Sequence, residues 1–233
     1  MNLPIIDKVF VINLKRSFLR LEKIKAQFKR MNVKFERIDA INGSEITGDL
    51  SRLSSINEYA YILSQKKIIE LWAKNREWKN ILICDDDILF HRNFHSLFNN
   101  LISRIPSDWK ILYLGESRNN WSGNKEPDLG GFYQPSANRI IEGSFAVAYS
   151  REVLESLLGI IEQSIKNNLI PFDNGILNEL VSENINKTFI AYPNLMIADI
   201  NPKTSLMGRP YNGMNMVRIA PKYKWKLSDY WIK

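Results

Sequence analysis

Ile81–Phe90, ILICDDDILF, sets three adjacent carboxylates, Asp85, Asp86 and Asp87, between two apolar runs. Adjacent anions repel, and a carboxylate beside a buried segment is costly unless a charge or hydrogen bonds compensate it. The run before the triplet, Asn80–Cys84, is short and apolar, as expected of a strand buried on both faces. The triplet therefore falls at the carboxyl end of a strand, and the segments on either side decide what kind of sheet that strand belongs to.

Toward the N-terminus, Ile56–Lys74 reads as a helix. Before it, INGSEITGD is rich in turn residues, and VKFERIDA reads as a strand. Lys8–Leu14, KVFVINL, is a second buried strand. The RSFLRLEKIKAQFKRM that follows repeats Phe18, Leu21, Ile24, Phe28 and Met31 at spacings of three or four, so one helical face is apolar and the other basic. Toward the C-terminus, His91–Ile105 is predicted helical, stopping before Pro106, and Trp109–Leu114 is a further strand.

Residues 115–142 are polar, contain Gly and Pro, and carry Trp121, Phe132 and Tyr133. A loop of this length suggests a lid or binding loop, whose rings either stack on a ligand or pack beneath it, or else disorder. An apolar segment, Ser144–Tyr149, and a helix over Arg151–Lys166 follow. PFDNGILNELV reads as another helix with Asp173 near its start, where a carboxylate suits the helix dipole. Residues 221–233 alternate basic and aromatic side chains. Trp225, Tyr230 and Trp231 are expected to close the core, the alternative being contact with an anionic bilayer.

The alternation of strands and helices predicts an α/β fold, a mostly parallel sheet flanked by helices, read as one domain over residues 1–233. Ligands of such sheets bind beyond the carboxyl ends of the strands. Three polar groups fall there: Asn13 with Arg16, then Asp39, then Asp85–Asp87.

A divalent cation is the simplest compensation for the triplet, because hard oxygen ligands on a rigid strand end suit Mg²⁺ or Mn²⁺. The structural alternative is a solvated turn or helix cap. Cys84 stands alone, and His91 and His95 lack the Glu of a His-Glu-x-x-His zinc site. No Walker lysine loop, G-x-G-x-x-G or G-x-S-x-G is present. A single cysteine excludes an internal disulfide, and no apolar run reaches the roughly 20 residues that span a bilayer. The N-terminus lacks the marks of a signal peptide, so a cytoplasmic location is expected, with peripheral binding to an anionic membrane as its extension. The net charge of +7 suits an anionic partner. The cations are spread and match no nucleic-acid-binding motif, so no nucleic acid is expected.

Taken in order, these segments resemble glycosyltransferase family 25, the lipooligosaccharide-type galactosyltransferases and their collagen-modifying relatives. VFVINLKRSFLRLEKIKAQF is similar to the family's opening strand and helix. FERIDAINGSEI, SSINEYAYILSQKKIIELW, ILICDDDILF, SFAVAYSREVLESLL and IPFDNGILNEL resemble successive later segments, over about residues 8–200. The resemblance implies a GT-A-like, Rossmann-like fold and inverting transfer of a sugar, galactose in the type members, from a UDP-sugar to a glycan, glycolipid or glycoprotein hydroxyl. It also implies Mn²⁺ or Mg²⁺ on Asp87 and Asp85, Asp86 at the ribose, Arg16 and Arg20 at the phosphates, and Asn13 and Asp39 at the ribose or base. Asp173 is the first candidate for the base, before Glu142 and Glu116, and Glu58 matches a family helix position. Plainer roles stand beside these: a surface cation for Arg20, a turn residue for Asp39, a helix start for Asp173 and a cap for Glu58. Two departures from the family pattern are Gln65, where its Ser-His pair has histidine, and Asp85, where its acidic motif begins with glutamate. The first leaves open an inactive family member that binds nucleotide sugar or acts as a scaffold. A metal-dependent phosphohydrolase is a weaker rival.

Overall fold

The computed structural model describes residues 3–47, 55–117, 126–136, 140–167, 170–200 and 216–232. In chain order the elements are β1 (Lys8–Asn13), α1 (Phe18–Arg30), β2 (Glu36–Asp39), α2 (Ile56–Lys74), β3 (Asn80–Asp85), β4 (Ile88–Phe90), α3 (Phe94–Arg104), β5 (Ile111–Tyr113), β6 (Gly131–Tyr133), β7 (Ala146–Ser150), α4 (Leu154–Lys166), α5 (Asn178–Glu183), β8 (Thr188–Tyr192), β9 (Met196–Ala198) and α6 (Met216–Ile219). Seven strands form one sheet in the order β2-β1-β3-β7-β5-β8-β6, and β4 pairs with β9 in a separate two-stranded ribbon. β2, β1 and β3 are parallel neighbours, and β5 and β8 run the same way. β7, inserted between β3 and β5, and β6, at the edge, run opposite to them.

Strand alternation explains why the runs are apolar throughout. Val9, Val11, Leu82 and Cys84 face one layer with Ile24 and Phe28 of α1 and Phe94 and Phe98 of α3. Phe10, Ile12, Ile81 and Ile83 face the other with Ile68 and Trp72 of α2 and Leu157 and Ile161 of α4. A fully buried side chain of this size contributes about 1.5–3 kcal/mol. The two layers hold the sheet rigid beneath its polar edge.

Several boundaries differ from expectation. The strand read from VKFERIDA is confined to Glu36–Asp39. The helix expected from His91 begins at Phe94, because the chain leaves the triplet into β4 and His91 bridges to Tyr230. Gly131–Tyr133, inside the expected loop, pairs with β8 as an edge strand, so Tyr133 is buried and Phe132 stacks edge-on against Phe189. Trp121 lies outside the described residues. Phe18, assigned to the apolar face of α1, is 62% exposed. The helix read from PFDNGILNELV is a π-helical turn, Phe172–Leu177, that continues into α5.

The aromatic segment after α6 closes the core, as expected. Trp225 and Tyr230 are buried. The Trp231 ring lies between the guanidinium groups of Arg30 and Arg92, 4.6 and 4.4 Å from its centroid. The buried Gln27 side chain of α1 donates to Trp231 O at 2.6 Å and accepts from Phe90 N at 3.4 Å. No helix among the described residues is long and apolar enough to cross a membrane.

Candidate functional site

Register brings the polar strand ends together. Asn13 is level with Asp39 on β2, and Ile12 is level with Asp85 on β3, so Asn13 stands beside Asp86. Asp86 and Asp87 form the turn between β3 and β4. The triplet is thus a strand-to-strand turn and not a helix cap.

The side chains alternate in charge across this edge. Arg37 pairs with Asp39 at 2.6 Å and donates from Nε to Asn13 Oδ1 at 2.9 Å. Asn13 Nδ2 donates to Asp86 Oδ2 at 2.6 Å. Arg20 Nη2 reaches Asp86 Oδ1 at 2.9 Å and also pairs with Asp87 Oδ2. Arg20, in the first turn of α1, is therefore built into the acidic turn and is not a free surface cation. Arg37 has no counterpart among the residues expected from sequence, because its neighbour across the sheet is set by strand order.

The triplet stays under electrostatic pressure despite these partners. Burial pushes the Asp85 carboxyl up, and the Asp87 and Asp86 charges push it further, against a hydrogen bond from Tyr61 and the charge of Arg20. Asp87 is pushed up to about 6, chiefly by burial, with Arg20 opposing and Asp86 and Asp199 adding to the rise. Asp86 is raised by burial, against Arg20 and Asn13. An anionic turn raised in this way attracts a cation. Its donors are hard oxygens, and Asp85 Oδ2 carries no hydrogen bond among the described residues. Among those residues no three His, Cys, Asp or Glu side chains form a ready metal cage. Two carboxylates that leave the remaining positions to water and phosphate oxygens fit Mg²⁺ or Mn²⁺ bound together with a nucleotide.

One cleft runs along this edge. It is lined by Asp85–Asp87, Arg16, Arg20, Asn57 and Tyr61. A neighbouring depression, which shares Arg16 and Asn42 with it, extends it to Asp39. Arg16 makes no ion pair among the described residues. Asn42 caps the 3-10 turn Gly43–Glu45 through Ser44 N, so Asp39 is not the residue that starts that turn. Ser64 Oγ accepts from Ile41 N at 2.9 Å and fixes the loop against α2.

The candidate bases lie apart from one another. Asp173 is half-buried in the π-helical turn, which packs against α2. The Glu58 carboxyl in the first turn of α2 is raised by burial and then by the charge of Asp173, so the two are close. Ser55 caps that helix by accepting from Glu58 N at 3.4 Å. Glu142 is half-buried, and its carbonyl accepts from Ser117 N at 2.7 Å. Glu116 is fully buried and accepts from the Tyr133 hydroxyl. Its carbonyl accepts from Asn194 Nδ2 at 2.7 Å and Trp225 Nε1 at 3.3 Å.

Tyr61, Gln65 and Ser144 also meet the site. Tyr61 donates to Asp85 Oδ1 at 3.0 Å, and burial together with the Asp85 charge pushes its phenol well above its ordinary value, so it keeps its proton. The i, i+4 spacing of Tyr61 and Gln65 on a helix was visible in the sequence, but not that this face meets β3.

Comparison with known proteins agrees with this geometry. The family model for Glycosyltransferase family 25 (LPS biosynthesis protein) matches residues 6–130, which hold β1 to β5 and the whole acidic edge. Glu142 and Asp173 lie beyond the match. A Drosophila melanogaster protein described as a glycosyltransferase 25 family member is 24% identical over 132 residues, 48% of this chain and 21% of that protein, so the match spans about a fifth of that relative. Among solved structures, a glycosyltransferase involved in the glycosylation of the major capsid of PBCV-1 superposes with a TM-score of 0.51 at 13% identity, covering 88% of this chain and 97% of that one. That likeness concerns the fold, which is GT-A-like as expected. With the family model matching more than half of its residues, the acidic strand end among them, the chain belongs to glycosyltransferase family 25.

Proposed function

We propose that this chain transfers a sugar, with inversion, from a UDP-sugar to a hydroxyl of a glycan or glycoconjugate, and that the sugar is galactose. The observation that carries the reading is the alternating array Asp39, Arg37, Asn13, Asp86, Arg20 and Asp87 along three parallel strand ends, of which Asp86, Arg20 and Asp87 line the cleft and Asp39 the depression beside it. A nucleoside diphosphate needs such a surface: cations and a metal for its phosphates, and carboxylates and amides for its ribose.

Asp87 and Asp85 would hold the divalent cation, Mn²⁺ or Mg²⁺, which when bound stabilises the charge on the departing diphosphate. Arg16 is assigned to a phosphate. Arg20 orients Asp86 and Asp87 and stands next to the same phosphates. Asp86, aimed by Asn13, is assigned to the ribose, and Asp39 to the ribose or base. Asp173 is assigned as the base that takes the proton from the acceptor hydroxyl. Glu58, whose carboxyl is raised beside it, is the group that shares the negative charge there. Glu142 is the second candidate base. Glu116, enclosed by Tyr133, Asn194 and Trp225, is assigned to packing.

The test is release of UDP from a panel of UDP-sugars, with Mn²⁺, with Mg²⁺ and with EDTA, using wild type and Asp87→Ala. The expected outcome is metal-dependent release from UDP-galactose, lost in the variant. Release that ignores EDTA would remove the metal from the reading, and release from another sugar would remove galactose. UDP binding without turnover, whatever acceptor is added, would favour the inactive member suggested by Gln65.

A further inference from the structure

Asp85 is held by a directional hydrogen-bond network that comes from outside the acidic turn. Tyr61 Oη lies 3.0 Å from Asp85 Oδ1, 2.9 Å from Gln65 Nε2 and 2.9 Å from Ser144 Oγ. A phenol has one proton to donate and accepts on its oxygen. That proton goes to the carboxylate, so both other partners must donate to Tyr61. The amide N–H of Gln65 does so, and proton counting requires the Ser144 hydroxyl to point the same way. Every donor in the network thus leads to Asp85.

The fold goes to some length to deliver these groups. Gly143 has φ +95, and a Cβ there would lie 2.7 Å from Ser117 Oγ and 2.8 Å from Phe145 Cε1, so this turn into Ser144 needs glycine. Asp85 N donates to Phe145 O at 2.9 Å, locking the Ser144 turn to the end of β3. Phe172 meets the Tyr61 ring edge-on at 5.6 Å. Gln65 is 1% exposed, and its Oε1 has no hydrogen-bond partner among the described residues. A buried amide oxygen left unpaired is costly, so its other end must be worth holding toward Tyr61.

We propose that Tyr61, with Gln65 and Ser144 behind it, is the positioning group for Asp85 as a metal ligand. By occupying Oδ1 it leaves Oδ2 as the coordinating oxygen and keeps the carboxylate from turning toward its neighbours in the triplet. This inference rests on the reading of Asp85 and Asp87 as metal ligands. Partners of this kind typically change metal affinity by about 10–100-fold when removed.

The test is Mn²⁺ binding followed by electron paramagnetic resonance in the presence of UDP, with a melting curve for each variant. Tyr61→Phe keeps the ring against Phe172 and should weaken Mn²⁺ roughly tenfold. In an Asp85→Asn background the same change should alter Mn²⁺ affinity less than about twofold, because the coupling is to that carboxylate. Gln65→His should retain affinity by keeping a donor, whereas Gln65→Met should lose part of it. Wild-type affinity in Tyr61→Phe would overturn the proposal. So would an equal loss in both backgrounds, which is what a merely structural tyrosine gives. Absence of Mn²⁺ binding by the wild type would overturn the metal reading itself, and that is seen without any variant.

Discussion

Asp85 ends β3 with Asp86 and Asp87 just after it, and Glu116 follows β5, two strands that run the same way, so all four carboxylates leave the same edge of the sheet. Their fates differ. At the end of β3 the carboxylates stay in a cleft, matched by Arg20, Asn13 and Tyr61. At the end of β5 the later chain covers the carboxylate: Tyr133 takes its oxygen, and Asn194 and Trp225 take its carbonyl. A polar strand end in an α/β sheet becomes a site or a packing element according to whether later segments cross it. The first is stabilised by groups that a ligand can join, the second by groups that keep ligands out.

The comparison is broken most sharply by Asp87→Ala, which should lower transfer by roughly 10³-fold, about 4 kcal/mol in the barrier, with an unchanged melting temperature. A variant that unfolds would place Asp87 with Glu116 among the packing carboxylates. Trp225→Ala should do the reverse. Stability should fall by about 3 kcal/mol, read by urea denaturation, while Mn²⁺-dependent UDP binding by the folded fraction persists. Asp173→Asn should slow transfer by roughly 10²-fold and leave UDP affinity unchanged, and unchanged transfer would remove it as the base.

The smallest effect concerns pH on the covered side. Burial lowers the pKa of His91, which bridges to Tyr230; Asp229 opposes this and Lys226 adds to it. The folded state therefore takes up a proton less readily than the unfolded chain, so stability should fall as pH drops through about 6.5 and below. His91→Gln should flatten that slope between pH 7 and pH 5.5, and an unaltered slope would clear His91 of it.

Much of the open edge was legible in the sequence. Asn13, Asp39 and the triplet end apolar strands, and such ends converge once β2, β1 and β3 are neighbours. The bounds read for α2, Ile56 and Lys74, match the structure as well. The covered edge was not. β6 is three residues long and owes its place to β8, and neither periodicity nor turn chemistry marks so short an edge strand. Arg20 read as a solvated cation because its helix face is mixed, and its partners are 66 and 67 residues away. Tyr61 read as an ordinary helix residue for the same reason, and Gln65 only as a departure from the family's histidine. Contacts made by folding distant segments together leave no local pattern.

Gln27 ties α1 to both β4 and Trp231, and Arg30 and Arg92 enclose that ring. These contacts make residues 225–231 a clasp, with a consequence for how the protein is made. A nascent chain that has passed residue 200 already holds every strand of the sheet, yet its first helix, the one carrying Arg20, is still unfastened on one side. The helix that carries Arg20 is thus secured by a contact 204 residues along the chain, from Gln27 to Trp231.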